Sequence, residues 1–235
     1  IIAWQGAHEH VLRFTIGGDA RVGAEEQGEP VEAIVTLTRG DVVAVTSDSR
    51  AELEETRGGE RVWIELADGL ASVWLTRGNQ TLLVFRAHGS AAAPTLALAG
   101  DGTWIAFHHD VREDDGQSDI AKWIALRFVD RSGRVFEPRA TMIDRDRDRE
   151  GVEQSFEFPA LYVSGAGAVA LFGRGSHNFW RQDLDQTGFS SRIPLSDGEW
   201  GSRGRHIVVA AVRDGLVVAR RDRKGLEVDL QAAPT

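Results

Sequence analysis

Cysteine is absent from all 235 residues. That excludes disulfides, thiolate metal sites and a cysteine nucleophile. Lysine is nearly absent: Lys122 and Lys224 are the two copies, and the other basic residues are Arg. No apolar run approaches the roughly 20 residues of a membrane helix, so no membrane insertion is expected. The formal net charge of -9 argues against a nucleic-acid or anionic-membrane partner, since both need a basic face. The sequence holds no Gly-rich phosphate loop, no metal-ligand cluster of recognised spacing and no nucleophile elbow. Convincing helix signals are missing too. The segment Ser49–Thr56 is Glu-rich, short and followed by Gly58-Gly59, and reads as an elaborated loop.

What the chain does have is a repeated phrase. A hydrophobic run, a Gly-centred turn, a second run, a gap and a third run recur about five times. One copy is Pro94–Gly102, Thr103–His108 and Ala121–Phe128; the next begins Pro159–Gly167 and Ala168–Phe172. Arg134–Glu137 supplies a fourth strand to the first of these. Further strands are expected at Ile1–Trp4, His10–Ile16, Arg61–Leu66, Ala71–Thr76, Thr81–Arg86, His206–Val212, Leu216–Arg220 and Leu226–Leu230. Turns fall at Gly17-Gly18-Asp19, Asp68-Gly69, Gly78-Asn79 and Asp214-Gly215, and a hairpin is expected to join Glu32–Thr38 to Asp41–Thr46 around Arg39-Gly40.

Many hairpins and a repeat of about 50 residues predict an all-β fold: a β-propeller of five or six blades built from four-stranded antiparallel sheets. The sixth blade would be a reduced one at Ala71–Gly89. The expected organisation is a single propeller domain over 1–235. The chain closes on Ala232-Ala-Pro-Thr235, the letters that also open a unit at Ala92-Ala-Pro-Thr95. It starts on Ile1-Ile-Ala-Trp4, which matches a second strand. This predicts either a segment of a longer protein or a blade completed from both termini. The first residue is Ile1, so a trimmed or mature segment is expected, with any signal peptide out of view.

The blade phrase Pro-x-Leu, Trp104-Ile-Ala-Phe107, Trp123-Ile-Ala-Leu-Arg127 and Gly133–Pro138 resembles blades of the sialidase-like (BNR/Asp-box) propeller superfamily. Ser196-Asp-Gly-Glu-Trp200 is similar to a shortened Asp-box, and Arg192-Ile-Pro194 to the Arg-Ile-Pro motif of sialidases. The resemblance implies a propeller that handles glycans in a secreted, periplasmic or cell-surface setting. It also implies a Tyr nucleophile with Glu, an Asp acid/base and three Arg around a carboxylate. The sequence departs from that set: its one Tyr, Tyr162, falls inside a first strand, and of the Arg residues Arg192 alone has a counterpart.

The residues singled out for ligand binding are His108, His109 and Asp110, read as the end of a second strand before the loop Val111–Asp119. His177 and Asn178 join them, read as the equivalent place in the next unit, together with Arg192 and Trp200. Imidazole and amide groups beside aromatics suit hydrogen bonding and stacking of a sugar ring. Adjacent His residues on a strand point to opposite faces, so His108 and His109 chelate one ion only if the strand ends between them. Asp144, Asp146 and Asp148 have the alternate spacing of a calcium loop, and Ca²⁺ is the one cofactor they suggest. The interleaved Arg residues oppose a cation, and a solvated connector is the plainer reading. The cluster Arg220–Lys224 reads as a surface turn. Trp4, Trp63, Trp74, Trp104 and Trp123 are expected in the core between blades. The expected partner is a glycan or other extracellular ligand. The other readings are a glycoside hydrolase or polysaccharide lyase of the resembled family, and an interaction scaffold in a larger repeat protein.

Overall fold

The computed structural model describes residues 2–5, 9–15, 21–26, 29–34, 42–43, 49–50, 53–112, 120–138, 157–174, 179–185, 188–189, 193–195, 207–212, 215–222, 225–232 and 234. Its regular structure is all β. Sheet 1 runs β1 (Ile2–Gln5), β2 (Glu9–Thr15), β3 (Arg21–Glu26) and β4 (Glu29–Ile34) in order. After β5 (Val42–Val43) comes sheet 2, with β6 (Ser49–Arg50), β7 (Glu54–Arg57), β8 (Glu60–Ala67), β9 (Leu70–Arg77) and β10 (Gln80–His88). Sheet 3 holds β11 (Ser90–Leu98), β12 (Gly102–Arg112), β13 (Ile120–Asp130) and β14 (Val135–Phe136). Sheet 4 holds β15 (Glu157–Val163), β16 (Val169–Arg174), β17 (Phe179–Asp185) and β18 (Gly188–Phe189), with β19 (Ile193–Pro194) also paired to β17. Sheet 5 holds β20 (Ile207–Val212), β21 (Gly215–Asp222) and β22 (Gly225–Gln231), and β5 returns to pair with β20.

The packing of these sheets runs in a circuit. β11 lies on β7 and β8, β15 on β11 and β12, and β20 on β15; β1 meets both β20 and β6. Successive antiparallel meanders joined this way make a β-propeller, as the repeat predicts. Among the described residues, three apolar clusters fill the seams from sheet 2 round to sheet 5. Val62, Ile64, Val73, Leu75, Ile105 and Phe107 lie between sheets 2 and 3. Ala106, Ile124, Leu126, Leu171 and Trp180 lie between sheets 3 and 4. Phe172, Phe179, Val209, Leu216 and Val218 lie between sheets 4 and 5.

Local chemistry explains the strand geometry. Asp68 and Gly69 both take positive φ (53° and 73°), the conformation that lets a two-residue turn follow the twist of β8 and β9. Pro94 and Pro159 cannot donate to a ladder, and each sits at a register shift, between Ala92 and Thr95 in β11 and between Glu157 and Ala160 in β15. The repeated proline therefore marks a repeated bulge in the first strand of sheets 3 and 4. Arg181 is buried and ties sheet 4 to the residue after β22. Its Nε and Nη2 donate to the two carboxylate oxygens of Asp183 at 2.7 and 2.9 Å, and Nη1 donates to the Ala232 carbonyl at 2.6 Å.

Several local expectations are corrected. Ser49–Thr56 is not a loop: β6 and β7 occupy most of it, and Glu55 is 0% exposed beside Arg57 at 3.0 Å. Two charged residues on the buried face hid the strand from a hydrophobicity reading. Of the hairpin expected between Glu32–Thr38 and Asp41–Thr46, residues 35–41 and 44–46 lie outside the described residues, and the parts that are described pair elsewhere on one edge. β4 joins β3, and Val42–Val43 joins Ala211–Val212 of the distant β20. β3 itself reads Arg-Val-Gly-Ala-Glu-Glu, too polar to be noticed. Ala71–Gly89 forms no sheet of its own, because β9 pairs with β8 from Leu70 to Arg77. Trp63 and Trp74 are half-buried and do not belong to the core between sheets 2 and 3. They stack on each other, centroids 5.7 Å apart, on the face of sheet 2 away from Val62 and Ile64. Trp104 does pack on the cluster between sheets 3 and 4. The Gly17-Gly18-Asp19 turn lies outside the described residues, as do the side chains of Trp4 and Trp123.

One position tests the seam between sheets 3 and 4. A Cβ on Gly173 would overlap Cζ2 of Trp180 and stand 2.8 Å from Cδ1 of Ile124. Gly173→Ala is expected to destabilise the fold by about 1–3 kcal/mol through overpacking, read as a lower urea midpoint. An unchanged midpoint would show that Trp180 does not fill this seam.

Candidate functional site

The propeller has two unlike ends. At one end the strands of sheets 2 to 4 are joined by tight turns: Gly58-Gly59, Gly78-Asn79, Ala99–Asp101, Arg131–Arg134 and Ser164–Ala168. At the other end lie the Asp68-Gly69 turn, the one-residue link between β10 and β11, which meets that turn through Gly89 N donating to Gly69 O at 2.9 Å, and the connections β12–β13 (113–119) and β16–β17 (175–178). The sheets align end to end. At the turn end Leu98 sits against Gly58, and Leu82 against Gly133. Near the hairpin end Ile124 sits against Gly173.

The hairpin end is where the candidate residues or their flanking anchors fall. β12 continues through Arg112, so His108, His109 and Asp110 sit inside the strand, with two more residues before its end. The extension is held by a full ladder, with His108 opposite Ile124, His109 opposite Trp123 and Asp110 opposite Lys122. The strand does not end between the two His residues, so they point to opposite faces and do not share an ion. His109 faces the seam with sheet 2, and His108 faces the seam with sheet 4; they are 4% and 6% exposed.

His109 has the better-defined surroundings. Its Nε2 lies 2.9 Å from the carbonyl oxygen of His88, which can only accept, so Nε2 carries the hydrogen. Its ring stands edge-on to Phe85, centroids 5.0 Å apart at 73°. Burial holds its pKa below the ordinary value and Arg127 adds to this, while the His88 hydrogen bond and Asp110 oppose it. Asp110 accepts from Ser90 Oγ at 3.3 Å through Oδ2. Its Oδ1, shielded from solvent, makes no hydrogen bond among the described residues.

His177 and Asn178 lie outside the described residues, between Arg174 and Phe179, which are register partners at the hairpin end of sheet 4. They are not equivalent to His108. Phe172 matches Phe107 in the repeat, so Gly173, opposite Trp180, holds the place of His108. Arg192 and Trp200 also lie outside the described residues. Ile193, next to Arg192, pairs with Arg181, and Leu195 N donates to Phe179 O at 2.8 Å; both anchors are at the start of β17. Asp144, Asp146 and Asp148 lie outside as well. Among the described residues no group of three or more His, Asp or Glu is placed to hold a metal.

Sequence reasoning missed the charged residues in the seam between sheets 2 and 3. Glu55 and Arg57 occupy it, as do Glu60 and Arg77. Arg127 is 7% exposed beneath Phe85, with its guanidinium carbon 5.2 Å from the ring. The available signal was phase: Glu60 and Arg77 fall in step with Val62, Ile64, Val73 and Leu75 on the buried side of their strands.

No protein-family description matches the sequence, and no curated protein matches it. Among solved structures, the GH93 α-L-arabinofuranosidase of Fusarium graminearum in complex with arabinobiose is 9% identical over 92% of this chain and 74% of that one, with a TM-score of 0.39. The N-terminal domain of Nup159 is 12% identical over 92% of this chain and 74% of that one, with a TM-score of 0.36.

Proposed function

We propose that the chain is a binding propeller whose ligand, a glycan met outside the cytoplasm, is held by the connections at the hairpin end of sheets 3 and 4. The observation that carries this reading is the connection from β12 to β13 (113–119), the longest link within sheets 2 to 4, at the hairpin end. It follows Asp110 in β12 and lies at the same end as the described anchors that flank the segments bearing His177, Asn178, Arg192 and Trp200. Long connections on a rigid sheet scaffold are where binding groups collect. The residue types there suit a sugar: imidazole, amide and guanidinium groups to hydrogen-bond hydroxyls, and an indole to stack on a ring face.

The test is a glycan array probed with the purified chain, followed by titration of the best ligand. The double variant His177→Ala, Trp200→Ala is expected to lose tenfold or more in affinity, about 1.4 kcal/mol. A silent array together with tight capture of a protein partner would overturn the proposal in favour of an interaction scaffold. Release of free sugar from the bound glycan would reassign the same face to a hydrolase.

A further inference from the structure

The seam between sheets 2 and 3 is fastened by different chemistry at its two ends. At the turn end, Arg77 Nε donates to Glu60 Oε1 at 2.7 Å, while Nη1 and Nη2 donate to the Asp130 carbonyl at 2.8 Å and Thr103 Oγ1 at 3.0 Å. The carbonyl and the hydroxyl do not titrate, so those two contacts persist across pH. At the hairpin end the fastening is His109. It bonds the His88 carbonyl of the link between the sheets, and Gly89 is seated on it. A Cβ at Gly89 would stand 3.4 Å from His109 Nε2 and overlap the Asp110 carbonyl, and φ of 108° excludes a side chain in any case.

We propose that His109 is an acid-operated latch on the hairpin end of this seam, with the Arg77–Glu60–Thr103 clamp as the fixed end about which sheet 3 opens. Protonation would place a second cation beside Arg127 in a space lined by Phe85, Phe107 and Ala91. Among the described residues, the charged groups facing His109 are Arg127, whose Nη2 meets Glu137 at 3.2 Å, and the adjacent Asp110. β10 contributes Phe85 and the His88 carbonyl, and β11 contributes Ala91, the register partner of His109. The depressed pKa of the buried ring sets the sign. The opened state takes the proton more readily, so the latch holds above the ordinary histidine value of about 6.5 and weakens as pH falls below it. One proton makes opening rise by up to about tenfold per pH unit. If that end is the binding face, as proposed above, ligand release accompanies opening; the latch itself does not depend on that reading.

Native-state amide exchange at pH 7.5 and 5.5, corrected for intrinsic rates, tests this on the full chain without ligand. Amides of Gly89 to Ala92 and His108 to Asp110 are expected to lose about tenfold in protection at the lower pH, while those of Thr103 and Arg77 hold. In His109→Gln the acid-induced loss is expected to vanish; Arg127→Met, which keeps the imidazole and removes the neighbouring cation, is expected to reduce it. The same loss in His109→Gln would overturn the latch. So would an equal loss at Thr103 and Arg77, which would mean global acid unfolding. A failed glycan array with the exchange result intact would remove the binding reading and leave the latch standing.

Discussion

Truncating Phe107 to Ala is expected to lower the free energy of unfolding by about 3–5 kcal/mol. Phe107 is 0% exposed and sits mid-strand in β12. Its ring lies 5.0 Å from that of Phe85, and Ile105, Val73, Leu75 and Ala125 belong to the same cluster. The cost exceeds the transfer free energy of a benzyl group because the walls of the hole cannot collapse. β12 is laddered on both sides, to β11 and β13, so neither sheet moves inward without breaking register. Against a typical stability of about 5–15 kcal/mol, such a loss is a large fraction of the whole. Urea denaturation should show a lower midpoint with an unchanged slope. Phe107→Leu, which refills most of the volume, should cost markedly less than the Ala variant. A loss below about 1 kcal/mol for Ala would mean that sheets 2 and 3 do not share a core.

What the sequence disclosed and what it hid have one physical cause. The strands that bury alternating Val, Ile and Leu between Gly-rich turns announce themselves, as β8, β9, β12 and β16 do. Repetition of Pro94 and Pro159, each ahead of a Gly-centred turn, declares a repeated unit, because a bulge is a place where a strand tolerates a residue that cannot donate. The strands that bury charge were misread. β7 carries Glu55 and Arg57 inward, and no hydrophobic pattern marks it. The pairing of β5 with β20, far along the chain, is a contact that no local pattern announces. The candidate site divided the same way. His108 and His109 are visible as residues of interest, but the polar stretch after them reads as a loop, so the pair reads as the end of its strand. The extra pairing from Asp110 to Arg112 opposite Ile120 to Lys122 is a register fact that one strand cannot show. That pairing draws both imidazoles into seams, where they act on how the sheets fit.

Breaking the clamp at the turn end is expected to be the other large effect. Glu60 Oε1 accepts from Arg77, and Oε2 accepts from Thr103 Oγ1 at 2.6 Å, so one carboxylate ties two sheets together. Glu60→Gln should cost about 2–3 kcal/mol, below the 3–5 of a fully buried pair, because the side chains of Arg77 and Glu60 keep 23% and 16% exposure. Most of that cost is the desolvated guanidinium left with fewer acceptors, so Arg77→Met in the same chain should recover part of it. A double-mutant cycle is expected to give a coupling of about 1–2 kcal/mol. The exposed pair Arg61–Glu54, with side chains 49% and 38% exposed, is the internal control; its cycle should give under about 1 kcal/mol and shrink as salt is raised. If the two cycles give the same small coupling and the same salt dependence, the clamp is an ordinary surface pair. The turn end could then not serve as the fixed point of an opening seam.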